Sequence, residues 1–140
     1  MESLSRFIQA QDSFGVYKQA FSEICNGRKI SHWTWCIFPQ IKGVGNSNRA
    51  IYYGINDLQE AEEYLSDKTL GPRLHECCRA LLAHKGKDIA DIMGSKLDAT
   101  KLRSSMTLFD AAEPKSIFND VLVAFFNGEA DTLTLDILSR

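Results

Sequence analysis

The sequence predicts an all-α fold, a compact multihelical single domain over residues 1–140 with about six to eight helices and no significant sheet. Apolar residues recur at three- and four-residue steps along most of the chain, as they do on the buried face of a helix. Two-residue alternation, which is typical of a half-buried strand, is confined to Trp33, Trp35 and Ile37. No internal repeat and no stretch rich in Pro, Gly or Ser divides the chain into domains.

Three amphipathic helices are predicted in the first part of the chain. The first has one apolar face, formed by Phe14, Tyr17, Phe21 and Ile24. Ser13 is its expected N-cap and Gly27 its end. Asn56 or Asp57 opens the second helix, whose apolar positions are Leu58, Ala61 and Leu65. The third has an apolar face made of Leu70, Leu74, Cys77, Cys78 and Leu81. Pro72 fits the first turn of this helix, where a missing amide hydrogen costs little.

The remaining chain predicts four more helices. A short one carries Ile89, Ile92 and Met93 and ends at Gly94. The next is capped by Asp98, and one of its faces carries Leu102, Ser105, Met106 and Phe109. Pro114 breaks the chain, and Ser116 caps a helix with Ile117, Val121, Leu122 and Phe125. Gly128 ends that helix, and Asp131 caps a last one that runs through Leu138.

Composition excludes several classes of function. The formal net charge of −2 gives no general attraction to membranes or to duplex nucleic acid. The first residues lack the apolar run of a signal peptide, so we expect a cytoplasmic protein whose four cysteines are small core residues with free thiols. The three histidines show neither HExxH nor paired CxxC spacing, and we expect neither a metal nor a cofactor.

Residues 27–50 are richer in basic and aromatic side chains than core packing requires. The segment contains two arginines and two lysines but no acidic residue. It places His32 beside Trp33 and Trp35, followed by Gln40. Aromatic walls with a few polar groups are typical of small-molecule pockets. The alternative interpretation is that the tryptophans are core anchors and His32 is a structural histidine.

The end of this segment, KGVGNSN, combines two glycines with Ser47 ahead of a predicted helix at Arg49. Such a loop can bring backbone amides close to a phosphate. It lacks the third glycine of a dinucleotide fingerprint and the lysine of a Walker motif. An ordinary loop is therefore the alternative interpretation.

Residues 97–110 form the second polar stretch. Lys101, Ser104 and Thr107 follow each other at three-residue steps, with Ser105 beside them. A cation with hydroxyl groups can hold a phosphate or a carboxylate, although a solvated polar face would show the same residues. Arg73 lies in the first turn of its predicted helix, where its charge opposes the helix dipole. Arg73 is therefore predicted to serve a partner or ligand.

These stretches resemble a known family. The runs GRKISHWTWCIFPQIKGVG, LGPRL and KLRSSMTLF are similar to the bacterial domain-of-unknown-function 1810 family, as are RFIQAQ and FFNGEAD near the two ends. The resemblance implies a compact, all-helical, uncharacterised protein and supplies no catalytic residue. Members are often labelled calpastatin-like in genomes, but calpastatins are long disordered inhibitors, unlike this folded composition.

Three hypotheses about function follow. The first is a pocket that binds, or binds and hydrolyses, a small anionic molecule such as a nucleotide or an ADP-ribose-type compound. His32 would then act as general acid or base with Asp98 as its supporting carboxylate. The ligand-binding candidates are Trp33, Trp35, Gln40, Ser47, Arg73, Lys101, Ser104, Ser105 and Thr107. The second hypothesis is a protein-interaction module that uses exposed aromatic residues. The third is that both motifs are purely structural.

Overall fold

The computed structural model describes residues 4–140. In that range it has ten α-helices, one 3-10 turn and no strand, which confirms the all-α class. The elements are α1 (Ser5–Asp12), the 3-10 turn (Ser13–Gly15), α2 (Val16–Cys25), α3 (Thr34–Ile37), α4 (Asn48–Tyr52), α5 (Leu58–Ser66), α6 (Leu70–Leu82), α7 (Ile89–Met93), α8 (Lys96–Ala112), α9 (Ile117–Phe126) and α10 (Thr132–Leu138). An isolated parallel bridge joins Ile41 to Ile55.

The helices outnumber the predicted six to eight because several are very short. Helix α3 has four residues, and α4 and α7 have five each. Helices α4 and α7 lie where the sequence predicted a helix at Arg49 and a short helix ending at Gly94, whereas the four residues of α3 give too little periodicity to detect. Helix α3 occupies the segment where two-residue alternation suggested extended chain.

The predicted start of the first helix is wrong. Two consecutive residues with positive φ, Phe14 at 53° and Gly15 at 67°, separate α1 from α2. Ser13 does not cap α2, because its hydroxyl donates to the carbonyl of Gln9 and closes α1 instead. Phe14 lies off the apolar face and is fully exposed.

Most other helix ends agree with the predictions. The side chains of Asp57 and Asp131 accept the backbone N–H groups expected of N-caps, and Gly94 ends α7 with φ of 85°. Asp98 is not the cap of α8, because Ser95 takes that role and accepts the N–H of Asp98. The carboxylate of Asp98 is therefore available for contacts with other side chains.

Helix α8 lies at the centre of the structure and packs against α5, α7, α9, α10 and α3. Its predicted apolar residues Leu102, Met106 and Phe109 are completely buried, as expected. The Lys29 ammonium group meets Asp98 in the first turn of α8, so the start of α8 lies next to the chain around residue 30 and positions the site described below.

Three of the four cysteines are buried and all four are free thiols. Burial raises the pKa of Cys36 and of Cys77 to about 12, so both remain protonated and unreactive at neutral pH. Over residues 4–140 there is no group of three or more His, Cys, Asp or Glu side chains that could hold a metal. No helix in the same range is long and apolar enough to span a membrane.

A buried ion pair joins α1 to α5. The Arg6 guanidinium donates to the Glu60 carboxylate at 3.0 Å and to the carbonyls of Tyr52 and Gly54 at 2.9 Å each. Glu60 also accepts the backbone N–H of Asn56 at 2.9 Å. The pair thereby holds the connection between α4 and α5 against α1.

Candidate functional site

A cavity of about 570 Å³ opens between the segment around α3, the loop before α4 and the first turns of α8. Its lining is formed by Lys29, His32, Trp33, Thr34, Trp35, Gln40, residues 45–50, Asp98 and Lys101. The two polar stretches of the sequence therefore meet in space. Of the candidates named from the sequence, the cavity brings together His32, Trp33, Trp35, Gln40, Ser47, Asp98 and Lys101.

The backbone that carries His32 is organised by Glu23, which lies on α2. The Glu23 carboxylate is buried and accepts five hydrogen bonds. Two come from the backbone N–H groups of Ile30 and Ser31, and one from the indole of Trp33, all at 2.8–2.9 Å. The hydroxyl of Ser31 and the amide of Gln19 supply the other two at 2.7 Å each. One carboxylate thus fixes the turn from residue 30 to residue 33.

Glu23 is held as an anion. Burial by itself raises the pKa of a carboxyl group, but hydrogen bonds donated by Ser31, Gln19, Ile30 and Trp33 outweigh that effect. The net result is a pKa lowered to about 2. Sequence reasoning missed this residue, because a single glutamate on an amphipathic helix has the same pattern as a solvated surface charge.

One end of the cavity is cationic. Lys29, whose side chain is only 5% exposed, places its ammonium group 3.1 Å from Oδ2 of Asp98 and 5.3 Å from the centre of the Trp33 ring. The Lys101 ammonium group lies 3.8 Å from Oδ1 of the same carboxylate. Asp98 therefore aligns two lysines along the wall, and its single charge balances only one of them.

The other end of the cavity is aromatic. Trp35 packs against Tyr53 with ring centres 4.5 Å apart, and the guanidinium of Arg49 lies 4.9 Å from the centre of the Trp35 ring. Ser47 caps α4 by accepting the N–H of Ala50 at 3.1 Å, which fixes the loop that carries Arg49. With Arg49 included, the lining holds three permanent cations and one carboxylate, a surplus of two positive charges.

Two residues that line the cavity each carry a buried polar atom that makes no hydrogen bond within residues 4–140. Over residues 4–140, three buried side-chain atoms lack a hydrogen bond: Thr34 Oγ1, Trp35 Nε1 and Ser105 Oγ. The first two belong to consecutive residues of the cavity wall. Buried polar atoms are nearly always satisfied, so these two atoms are exceptions in residues that line the cavity.

Four candidates from the sequence do not reach this cavity. Ser104, Ser105 and Thr107 are buried in helix packing, because they lie on the sides of α8 that face its neighbours. The hydroxyls of Ser104 and Thr107 donate to carbonyls one turn earlier on α8, and Thr107 also accepts the N–H of Asp131. Arg73 lines a different cavity, formed with α1 and α2. The helical periodicity of the sequence correctly assigned these residues to helices. It did not predict which other residues their side chains contact.

Comparison with known proteins agrees with this description. The family model described as protein of unknown function (DUF1810) matches residues 1–138. The crystal structure of the conserved hypothetical protein Rv1873 from Mycobacterium tuberculosis is similar, with a TM-score of 0.92 and 41% sequence identity over 98% of this chain and 96% of that one. No curated protein matches the chain. The residues singled out in the sequence, the all-helical fold and this coverage together place the chain in the DUF1810 family of proteins of unknown function.

Proposed function

We propose that the cavity binds a small anionic molecule that also carries a planar ring, such as a nucleotide or an ADP-ribose-type compound. The observation that carries this proposal is the surplus of two positive charges beside the Trp35 ring in one concave site. A phosphate group would meet the cations, and a planar ring would stack on the indole.

Charge supports an anionic ligand. Two of the three cations that give the surplus are already held in place, Lys29 by Asp98 and Arg49 by the Trp35 ring. Charges that are fixed before the ligand arrives lose little entropy on binding. Lys101 is the more mobile of the cations, since its contact with Asp98 is longer and its side chain is 40% exposed.

Shape favours a small ligand over a protein partner. The site is concave, and its volume falls in the range of about 300–1,000 Å³ that is usual for ligand pockets. An interaction module would instead present a flat apolar patch. A purely structural interpretation accounts for Trp33, which is buried and bonded to Glu23, but not for two uncompensated positive charges in one concave site. The cytoplasmic location expected from the sequence would give such a site access to nucleotides.

Hydrolysis would need a group that exchanges a proton with the ligand. Each oxygen of Asp98 faces a lysine ammonium group, so this carboxylate orients cations and is not placed beside His32 by any direct contact. His32 is exposed at the cavity and makes no side-chain hydrogen bond within residues 4–140. We therefore propose binding alone. If the ligand is hydrolysed, His32 is the side chain that would exchange a proton with it.

The Lys101→Ala variant tests the proposal. We expect it to weaken binding of AMP and ADP-ribose about five- to tenfold, because a charge-assisted contact to phosphate is lost. Binding of adenosine, which lacks phosphate, should be unchanged. Isothermal titration calorimetry on wild type and variant measures both. Lys96→Ala is the matched control, since Lys96 is exposed on the same helix and outside the cavity lining.

Two outcomes would contradict the proposal. One is that wild-type protein binds none of AMP, ADP-ribose and ribose 5-phosphate at millimolar concentration. The other is that Lys101→Ala and Lys96→Ala weaken binding equally, since the effect would then come from overall charge and not from the cavity.

A further inference from the structure

A second cavity lies where the end of α1 and the start of α2 meet the first turn of α6, and the function proposed above does not use it. Its volume is about 410 Å³. The lining is formed by Gln11, Asp12, Gly15, Tyr17, Lys18 and Arg73. It shares no residue with the first cavity. Arg73, which the sequence analysis singled out, is at its centre.

The Arg73 guanidinium is held on three sides. Its Nη1 donates to Oε1 of Gln11 at 3.1 Å and lies 2.9 Å from Oδ1 of Asp12. The group also lies 4.7 Å from the centre of the Tyr17 ring. Gln11 is itself only 2% exposed and is fixed by bonds to the Cys36 carbonyl and the Tyr64 hydroxyl. The guanidinium is therefore oriented by a rigid support.

Both polar contacts of the Arg73 guanidinium use the same nitrogen, Nη1. Neither Nε nor Nη2 of Arg73 donates a hydrogen bond within residues 4–140. The Nε–Nη2 edge is one of the edges with which arginine binds a carboxylate through two parallel hydrogen bonds. The Arg73 side chain lines the cavity and is 26% exposed.

The position of Arg73 destabilises α6, the helix that carries it. It lies in the first turn of α6, where the helix dipole disfavours a positive charge. Asp12, which pairs with it, is 55% exposed, and an ion pair this open contributes little. The pairing nevertheless demonstrates that a carboxylate fits beside the guanidinium. Lys18, which is exposed, adds a second cation to the same lining.

We propose that this second cavity is a binding site for a carboxylate-bearing small molecule, which is held by the Nε–Nη2 edge of Arg73 over the Tyr17 ring, with Lys18 as the second cation. Asp12, which contacts Nη1, partly neutralises the charge of Arg73 and so lowers its affinity for the ligand. This proposal does not depend on the function of the first cavity.

The test is a titration of ¹⁵N-labelled protein with sodium succinate, followed by the Nε–H signal of Arg73 and the backbone amides of Gly15 and Lys18. We expect saturable shifts of these signals, and no such shifts with sodium chloride at matched ionic strength. Asp12→Asn should tighten succinate binding about two- to fivefold, because it removes the neutralising charge of an exposed pair. Lys101→Ala, in the first cavity, should leave the titration unchanged.

Arg73→Lys is the second variant, since lysine keeps the charge but cannot form two parallel hydrogen bonds. We expect it to abolish saturation of the Gly15 and Lys18 shifts. The proposal is overturned if chloride reproduces the shifts, if Arg73→Lys leaves the affinity unchanged, or if Asp12→Asn does not tighten binding. Saturation with sodium phosphate but not with succinate would overturn the assignment to carboxylates.

Discussion

Replacing Glu23 with alanine is expected to lower the free energy of unfolding by about 3–5 kcal/mol. The substitution leaves the Trp33 indole and the N–H groups of Ile30 and Ser31 without their acceptor, and at least the first is completely shielded from water. Each unsatisfied buried donor costs about 1–3 kcal/mol. Urea unfolding monitored by circular dichroism measures the change.

Glu62→Ala is the matched control for this experiment. Glu62 is exposed on α5 and should change the free energy of unfolding by less than about 0.5 kcal/mol. If Glu23→Ala is as stable as Glu62→Ala, the hydrogen bonds to Glu23 do not organise the turn from residue 30 to residue 33.

The same carboxylate predicts a dependence of stability on pH. Its pKa is lowered from 4.5 to about 2 in the folded protein, which corresponds to about 3 kcal/mol. For a lowered pKa this contribution is fully present above the unfolded value and is lost as pH falls toward the folded value. We expect stability to decline between pH 5 and pH 2, and the decline to be smaller in Glu23→Gln. An identical pH profile for the two proteins would contradict this assignment.

Replacing Arg6 with methionine is expected to have a similarly large effect, about 3–5 kcal/mol, because it leaves the buried charge of Glu60 unpaired. Methionine fills much of the same volume, so the loss reflects the charge and the two carbonyls of Tyr52 and Gly54 more than a cavity. The double variant Arg6→Met/Glu60→Leu should recover part of the loss, since it removes both charges.

An exposed pair supplies the control for the Arg6 experiment. Arg140 and Asp136 lie 2.9 Å apart, but both side chains are more than 60% exposed. Arg140→Ala should therefore leave the urea midpoint unchanged. Two results would show that the pair does not act as a buried unit. One is that Arg6→Met also leaves the urea midpoint unchanged. The other is that the double variant loses more free energy of unfolding than Arg6→Met and Glu60→Leu lose together.

The parts of the fold that the sequence predicted are those with local causes. Helices α6 and α8 are long enough for their apolar periodicity to be read, and Asp57 and Asp131 are caps whose side chains bond within three residues. The break at Phe14 could not be predicted, because a phenylalanine with positive φ is maintained by surrounding structure and not by its own preference.

The candidate site was predictable only in outline. Unusual basic and aromatic composition identified the segment around Trp35, and polar residues at the start of α8 identified Lys101. Which side of α8 faces the cavity depends on how the helices pack, and this is why Ser104 and Thr107 were misplaced. Glu23 acts through contacts seven to ten residues away, which no local pattern encodes.

The two tryptophans allow the most direct test of the central claim, that the first cavity binds an anionic, ring-bearing ligand. The chain contains only Trp33 and Trp35, so a ¹H–¹⁵N spectrum shows two indole N–H signals. The indole of Trp33 is bonded to Glu23, whereas that of Trp35 has no partner in residues 4–140. On titration with ADP-ribose, the proposal predicts a saturable shift of the Trp35 signal and a much smaller shift of the Trp33 signal. A Trp35 signal that stays in place at saturating ADP-ribose and AMP would contradict it.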